Sequence, residues 1–424
     1  MLNLLKELWP LHRTINCDDM DKAFNICKKY LNDNKNFNYY KFKPGTNVMT
    51  WQIPYRYKVN KAFLKINGKT IADFQKNPLH LLSYSIPLKS QGKLKDIRKN
   101  IYYNKKLPNS IPWEFKYYEK NWGFCVKYND YKRFKDNDNY KLEIDVEFQN
   151  KEMTVADYFL PGKTKDEILF MTNICHPMQV NDSLSGLVVA LELAKKISKN
   201  KNRRLGFRVL IVPETIGTIA WFSKLKKNQI NKIKYAWFCE MVGHNNSFIL
   251  QHSRQGYDAL IDRAFVITLS KYKKHGIYRT GAFREVVASD EMVSNGPGID
   301  IPTPSLTRWP YKEYHTSFDS PKIITEANLN ETLKLFNELY YILDKNYYPK
   351  RNFTGPVMLS RYNLWVDWRE DWKLNISLDK LMLMLEGDKS IIDIAYELNL
   401  NFKTVFDFVE KLFLNKLITK YKSN

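Results

Sequence analysis

The chain of 424 residues has few cysteines and lacks long apolar runs. Its five cysteines form no Cys-x-x-Cys pair, so the sequence indicates neither a disulfide framework nor a thiolate zinc site. No stretch reaches the roughly 18 apolar residues of a membrane span, and the N-terminus has an acid and a proline where a signal peptide has an apolar core. We therefore expect a cytoplasmic protein, neither exported nor embedded in a membrane.

Positive charge exceeds negative charge, with 67 Lys plus Arg against 45 Asp plus Glu and a net charge of +22. Such a balance can indicate an anionic partner. Here the lysines are spread along the whole chain among many asparagines and tyrosines, so we interpret them as general solubilising charge. The apolar fraction of 44% excludes a disordered chain and is enough for two or three domains with cores.

Changes in composition and in the spacing of apolar residues divide the chain into four segments. Residues 1–39 have apolar residues at helical spacing and are predicted to be an N-terminal helical part of the core. Residues 40–150 contain short aromatic strands and an Asn-Gly hairpin signal at 67–68. Residues 151–350 alternate apolar strands, predicted at 167–174, 207–213 and 235–242, with longer helices, which predicts an α/β sheet flanked by helices. Residues 355–424 resemble a winged helix-turn-helix, with short helices before an apolar hairpin.

Polar residues follow the predicted strands at the point where each strand ends. His176 and then Asp182 come after the first, Glu214 follows the second, and Glu240 ends the third. His315 precedes the last long helix of this segment. The carboxyl ends of strands form the crevice of an open α/β sheet, and imidazole and carboxylate groups there match the ligands of zinc. The other histidines lack a repeating ligand context and are interpreted as surface or hydrogen-bonded residues: His12, His80, His244, His252 and His275.

Short motifs lie in order around these strand ends: His176, Asp182 with Leu184-Ser185-Gly186, Glu214 with Gly217, Glu240-Met241-Val242-Gly243, Ser289-Asp290 and Tyr314-His315-Thr316. This order resembles the zinc-dependent aminopeptidase family that also contains glutamate carboxypeptidase and the animal glutaminyl cyclases. The chain looks most like its bacterial aminopeptidase-like proteins with an inserted β domain and a C-terminal winged helix, often labelled as polysaccharide-biosynthesis proteins. The closer match covers nearly the whole chain and rests on motifs such as LWPLHRTI (8–15), MTWQIPYRY (49–57), NICHP (173–177), PETIG (213–217) and EYHTSFDS (313–320).

The resemblance implies a mixed sheet flanked by helices and a zinc hydrolase core over residues 151–350. Asp182 has the position of the carboxylate that bridges two zinc ions. His176 and Glu240 would complete one metal site, and His315 would belong to the other. Glu214 has the position of the general base that deprotonates the attacking water.

The sequence departs from the family pattern beside this base. The family has a second glutamate that ligates the second zinc ion, and this chain has Thr215 there. We therefore expect one zinc ion rather than two. Three arrangements stay open: Glu291 takes the place of the missing ligand, Glu214 does so, or one ion is held by both histidines and Asp182 with Glu240 outside its ligands.

The expected function is zinc-dependent amide hydrolysis of aminopeptidase type. Water activated by zinc attacks a peptide, aminoacyl or N-acyl amide, with Glu214 as general base. Asp290 and Glu291 are expected to recognise an amine of the substrate. Arg308 and Tyr311 lie on loops that are expected to reach the same crevice, where Arg308 would bind a carboxylate or a phosphate. Each of these four can equally be loop structure. The expected substrate is a short peptide or an aminoacyl or N-acyl sugar, the sugar following from the label of the relatives.

The alternative function is a catalytically silent peptidase-like binding module whose winged helix recruits a protein or nucleic-acid partner. We expect no DNA partner, because the candidate recognition helix at 402–415 carries Asp407 and Glu410 and lacks arginine. No membrane partner is expected either.

The aromatics of 40–150 are typical of a small sandwich core, although they could also stack on sugars or clamp a peptide. This segment is expected to gate substrate size or to support a homo-oligomer.

Overall fold

The computed structural model describes residues 1–273 and 278–421, and His275 lies outside them. The helices are α1 Leu2–Leu8, α2 Asp18–Leu31, α3 Tyr128–Tyr131, α4 Leu184–Ser198, α5 Ile216–Ser223, α6 Lys227–Ile230, α7 Leu260–Lys273, α8 Glu291–Ser294, α9 Glu326–Lys345, α10 Trp372–Leu383, α11 Ile391–Glu397 and α12 Phe402–Leu414. The strands are β1 Phe37–Phe42, β2 Asn47–Val48, β3 Trp51–Gln52, β4 Arg56–Ile66, β5 Lys69–Asp73, β6 Leu88–Lys93, β7 Ile101–Tyr102, β8 Phe124–Cys125, β9 Asn139–Gln149, β10 Met153–Leu160, β11 Glu167–Asn173, β12 Gly206–Val212, β13 Ile233–Cys239, β14 Phe248–Gln251, β15 Tyr278–Gly281, β16 Ser305–Thr307, β17 Tyr348–Arg351 and β18 Ile418–Tyr421.

An eight-stranded mixed sheet organises the fold, with the strand order β1-β10-β12-β11-β13-β16-β14-β15. Its centre is parallel, because β11 pairs in parallel with β12 and β13, and β13 pairs in parallel with β16. Antiparallel pairing adds β10 and β1 on one side and β14 on the other. Strand β11 is buried along its whole length, as a parallel strand covered on both faces is. The predicted mixed α/β sheet is confirmed.

The two faces of this sheet have separate hydrophobic cores. Along β11, Ile168 and Phe170 belong to a core shared with α1, α2, α4 and α9. Leu169 and Met171 point to the other face and belong to a core shared with α5 and with strands β4 and β9. Alternate residues of a strand face opposite sides, so the continuous apolar run of β11 serves both cores.

A second, four-stranded sheet lies in the predicted insertion, with the order β5-β4-β9-β6. Ile66 and Lys69 are paired across a two-residue turn at Asn67 and Gly68, both of which have positive φ. This is the geometry of a type I′ hairpin, which the Asn-Gly pair predicted. Strand β1 crosses the predicted boundary at residue 40 and joins the main sheet. The four domain ranges stay predictions.

The C-terminal segment packs on the main fold. Helix α11 contacts α7, and Arg263 pairs with Asp393 at 2.9 Å. Strand β18 pairs antiparallel with β17, which precedes the three last helices in the chain. The winged-helix assignment stays a prediction. Within residues 1–273 and 278–421, no helix is long and apolar enough to cross a membrane.

Gly186 allows α4 to approach the end of β13. A Cβ atom at this position would lie 2.0 Å from the carbonyl oxygen of Cys239 and 3.1 Å from the Cα atom of Glu240. We expect Gly186→Ala to lower the free energy of unfolding by about 1–3 kcal/mol, because backbone atoms must move to admit the methyl group. Urea denaturation measures this change. Ser198→Ala in the last turn of α4 is the control, and equal midpoints for the two variants would contradict the close approach.

Candidate active site

The main sheet brings three predicted site residues to one edge. His176 follows the end of β11, Glu214 follows β12, and Glu240 follows β13. These strands are neighbours and run in parallel, so their carboxyl ends meet at the same edge. Asp182 lies in the loop between β11 and α4, and His315 lies between β16 and α9. The crevice predicted from the strand ends is therefore where these residues meet.

His176, Asp182 and His315 form a close cluster. Asp182 Oδ2 lies 3.8 Å from His176 Nε2 and 3.1 Å from His315 Nε2. One ligand atom from each of the three residues lies within 4.8 Å of the other two. Asp182 Oδ2 and His315 Nε2 are buried, and within the described part of the chain no hydrogen bond of good geometry satisfies either atom. Burying such groups is costly unless a cation binds them, and the donor set suits zinc.

Glu240 lies close by but is not a member of that cluster. Its carboxyl is buried, and burial together with the charges of Asp182 and Glu214 raises its pKa well above the ordinary value. This placement corresponds to the arrangement in which one ion is held by both histidines and Asp182.

Glu214 faces the cluster from the end of β12. Its Oε2 lies 3.3 Å from His176 Nε2, and its side chain keeps 29% exposure. Its Oε1 accepts a hydrogen bond of 3.2 Å from Ser289 Oγ. Burial raises the pKa of Glu214 well above its ordinary value, as do the nearby carboxylates of Asp290 and Asp182. The carboxyl is thus anchored at one oxygen and directed toward the cluster with the other.

The two acids predicted to recognise an amine, Asp290 and Glu291, are fully buried behind the crevice. Asp290 Oδ1 accepts a hydrogen bond of 2.8 Å from the backbone N–H of Thr215. Both carboxylate oxygens of Glu291 lie within hydrogen-bond distance of the Ser289 backbone N–H. In this structure the two acids therefore brace the turns that carry Glu214 and its anchor.

Arg308 and Tyr311 are also buried and have protein partners. The Arg308 guanidinium donates to Glu331 and lies 3.8 Å from the centre of the Phe248 ring. The Tyr311 hydroxyl donates to Asp319 Oδ2 at 2.6 Å. The substrate-binding roles of these two residues and of the two acids stay predictions.

Two buried charged residues outside the predicted set hold the loop that carries the ligands. The carboxylate of Asp319 accepts hydrogen bonds from the backbone N–H groups of Asn181 and Asp182, at 2.7 and 3.2 Å. Arg13 donates to the backbone carbonyls of Cys175 and Gln179, at 2.9 and 2.8 Å. Both residues lie within motifs that carried the family resemblance, but their spacing gave no sign of these contacts.

Trp113, which lies in the predicted insertion, also reaches the site. Its ring lies 4.1 Å from the His176 ring and 4.5 Å from the His315 ring, between centroids. The Trp113 backbone N–H donates to the His315 carbonyl at 2.8 Å, and Pro112 forms a β-bridge with Thr316. The indole therefore covers both imidazoles, a role that the aromatic composition of 40–150 did not reveal.

The site loops have unusual backbone geometry. His176, Thr215, Met241 and His315 all have φ between 52° and 81° although none is glycine. Non-glycine residues adopt this region at a cost and tend to do so at functional sites. Three of the four follow directly on the central strands.

Solved structures define the class of this fold. A crystal structure of a candidate peptidase from Clostridium acetobutylicum superposes with a TM-score of 0.87 at 27% identity, covering 99% of this chain and 95% of that chain. A zinc aminopeptidase from Bacillus subtilis has a TM-score of 0.60 at 15% identity, covering 80% and 93%. An M28 peptidase precursor from Shewanella amazonensis has a TM-score of 0.56 at 14% identity, covering 81% and 92%. The fold is that of the zinc-aminopeptidase-like proteins.

The chain belongs to the family described as Domain of unknown function (DUF4910), whose family model matches residues 2–346. It is also 27% identical over 426 residues to a candidate "polysaccharide biosynthesis protein with aminopeptidase-like domain" of Clostridium acetobutylicum. That match covers 98% of this chain and 95% of the relative. The predicted resemblance to bacterial aminopeptidase-like proteins is confirmed.

Proposed function

We propose that the protein is a zinc-dependent amide hydrolase of aminopeptidase type. His176, Asp182 and His315 would hold one zinc ion, and Glu214 would act as the general base. The observation that carries the proposal is the position of the Glu214 carboxylate, 3.3 Å from His176 Nε2, beside a buried cluster of two imidazoles and a carboxylate. A base next to a three-ligand cluster is the arrangement that amide hydrolysis by activated water needs.

Zinc bound at this cluster would supply Lewis-acid activation of water and of the amide carbonyl. The side chains around the cluster would take the proton from the attacking water and pass it to the leaving amine. Glu214 Oε2 faces the cluster and can accept a proton there, while Ser289 Oγ keeps the carboxyl in place through Oε1. The same oxygen can then deliver the proton to the leaving amine. Trp113 covers the histidine rings and excludes water from that side.

The substrate we propose is an amide of an amino acid or an amino sugar. The relative's name, which combines polysaccharide biosynthesis with an aminopeptidase-like domain, supports an aminoacyl or N-acyl sugar. We also propose that the protein acts in the cytoplasm. All five cysteines are free and buried, which fits a reducing compartment.

Hydrolysis with and without metal tests this function. The protein is depleted with a chelator and assayed on aminoacyl 4-nitroanilides and on N-acetylated and aminoacylated amino sugars, before and after addition of zinc. We expect zinc-dependent hydrolysis of at least one of these substrate classes. In Asp182→Ala the rate of hydrolysis should fall by about a hundredfold or more, because one proposed zinc ligand is missing. Hydrolysis that survives chelation would contradict the metal site. Zinc binding without hydrolysis of any substrate would favour the silent binding module.

A further inference from the structure

A cavity of about 450 Å³ lies beside Glu214, where the insertion meets the main sheet. Cys175, Glu214 and Thr215 line it from the main sheet, which we call its floor, and Trp51 with residues 115–119 lines it from the other side, which we call its wall. The volume is in the range of cavities that hold small-molecule ligands. Because the proposed base forms part of its floor, a group bound in this cavity lies next to the reacting amide.

Three aromatic side chains of the wall are exposed to this cavity and to solvent. Trp51 is 36% exposed, Phe115 is 43% exposed and Tyr118 is 53% exposed. Large aromatic residues are mostly buried in proteins, so a cluster of exposed rings inside a cavity indicates a binding surface. Trp51 and Tyr118 meet edge to face and offer ring surface against which a ligand can pack.

The rings are fixed before any ligand binds. Phe115 is stacked between Trp113 and Tyr117, with ring centroids 4.8 and 4.9 Å apart. The Tyr118 hydroxyl donates to the backbone carbonyl of Gln52 at 3.0 Å, in the strand that carries Trp51. Ordered side chains lose little conformational entropy on binding, which favours affinity.

The same extended segment connects this wall to the proposed metal ligands. Trp113 packs on His176 and His315, and Phe115 stacks directly on Trp113. The distance from the wall to the ligand cluster is therefore set by one short piece of backbone. A ligand held against this wall therefore has a defined position relative to Glu214.

Apart from the proposed base Glu214, the charged side chains that line the cavity are paired, which favours a neutral ring at the wall. Lys116 and Glu119 pair with each other at 3.0 Å, so the positive and the negative charge of the wall are matched. A pyranose ring has apolar C–H faces that can stack on aromatic rings and hydroxyls at its edge that stay hydrated. An aliphatic amino-acid side chain gains most from a closed apolar pocket, whereas these rings stay open to water.

We propose that this cavity binds the pyranose ring of an N-acylated or aminoacylated amino sugar, which packs against the rings of Trp51 and Tyr118 while its amide lies at Glu214. The inference rests on the proposed function, because the general base forms the floor of the cavity. It goes further by naming the sugar, rather than an amino-acid side chain, as the part of the substrate that the insertion recognises.

Equilibrium binding tests this proposal without depending on activity. Saturation-transfer NMR and calorimetry on the purified protein compare N-acetylglucosamine, N-acetylgalactosamine and N-acetylmannosamine with leucinamide and phenylalaninamide. We expect at least one of the sugars to bind, and Trp51→Ala and Tyr118→Ala each to raise its Kd by roughly threefold to tenfold, as loss of one stacked ring does. Trp365→Ala is the control, because Trp365 is 68% exposed and belongs to the C-terminal segment. This variant should bind the sugar with the affinity of the wild type.

The outcomes separate this proposal from the proposed function. Binding of none of the three sugars would overturn it, even if amide hydrolysis is found. Binding of phenylalaninamide instead, weakened by the same two substitutions, would overturn it in favour of an amino-acid side chain. Sugar binding that depends on Trp51 and Tyr118 but occurs without zinc-dependent hydrolysis would support the sugar site and refute the hydrolase.

Discussion

Glu214→Gln is expected to lower kcat for amide hydrolysis by about 10²–10⁴-fold, because an amide side chain cannot accept the proton that a general base takes. Glutamine has nearly the same size, and its carbonyl oxygen can still accept the hydrogen bond from Ser289 Oγ. Glu214 is not one of the three residues proposed to hold the ion, so the zinc content should stay at the wild-type value. Kinetics and elemental analysis on one preparation measure both quantities.

Glu143→Gln is the matched control for this substitution. Glu143 lies in β9 of the insertion and forms a surface ion pair of 3.2 Å with Lys61, so its loss should leave kcat unchanged. Wild-type kcat in Glu214→Gln would contradict the assignment of the base. Loss of zinc in Glu214→Gln would show that Glu214 is itself a ligand, one of the arrangements left open by the sequence.

Arg13→Met is expected to lower the free energy of unfolding by about 3–5 kcal/mol, because several buried carbonyls lose their hydrogen-bond donor at once. Arg13 is completely buried and donates to the backbone carbonyls of Leu8, Ile174, Cys175 and Gln179. Urea denaturation and the thermal midpoint measure the change. We also expect weaker zinc binding, because the carbonyls of Ile174, Cys175 and Gln179 belong to the loop that presents His176.

Arg13→Lys tests whether the geometry of the guanidinium matters beyond its charge. A lysine ammonium keeps the charge but cannot reproduce the planar fork that reaches several carbonyls at once, so we expect roughly half of the loss seen with methionine. Arg254→Met is the control, because Arg254 is half exposed in its pair with Asp300, and such pairs contribute less than about 1 kcal/mol. Wild-type stability of Arg13→Met would show that Arg13 does not hold the ligand loop.

The sequence predicted the central strands and their helices well. The strands expected at 167–174, 207–213 and 235–242 are Glu167–Asn173, Gly206–Val212 and Ile233–Cys239 in the structure. Parallel strands covered on both faces are continuous apolar runs, which makes them visible without an alignment. The position of polar residues just after such runs then places them at one edge of the sheet. This local pattern accounts for the convergence of His176 and Glu214.

The parts of the site that depend on distant segments could not be predicted. Arg13 and Trp113 are far in sequence from the loop of His176, and each is buried against it. Asp290 and Arg308 were expected on loops that reach the crevice, but Asp290 accepts a hydrogen bond from the Thr215 backbone and Arg308 donates to Glu331. Which charged loop residues face the crevice depends on long-range pairing, and residue spacing carries no information about such pairing.

We propose that His176, Asp182 and His315 hold one zinc ion, and the metal content of the purified protein tests this directly. Elemental analysis compares the wild type with His315→Ala and His252→Ala. His252 is the matched control, because it is also buried beside a carboxylate, with Nδ1 2.9 Å from Asp262 Oδ1. We expect about one zinc ion per chain in the wild type and in His252→Ala, and none in His315→Ala. A wild type that stays free of zinc after the metal is added, or zinc retained in His315→Ala, would contradict this proposal.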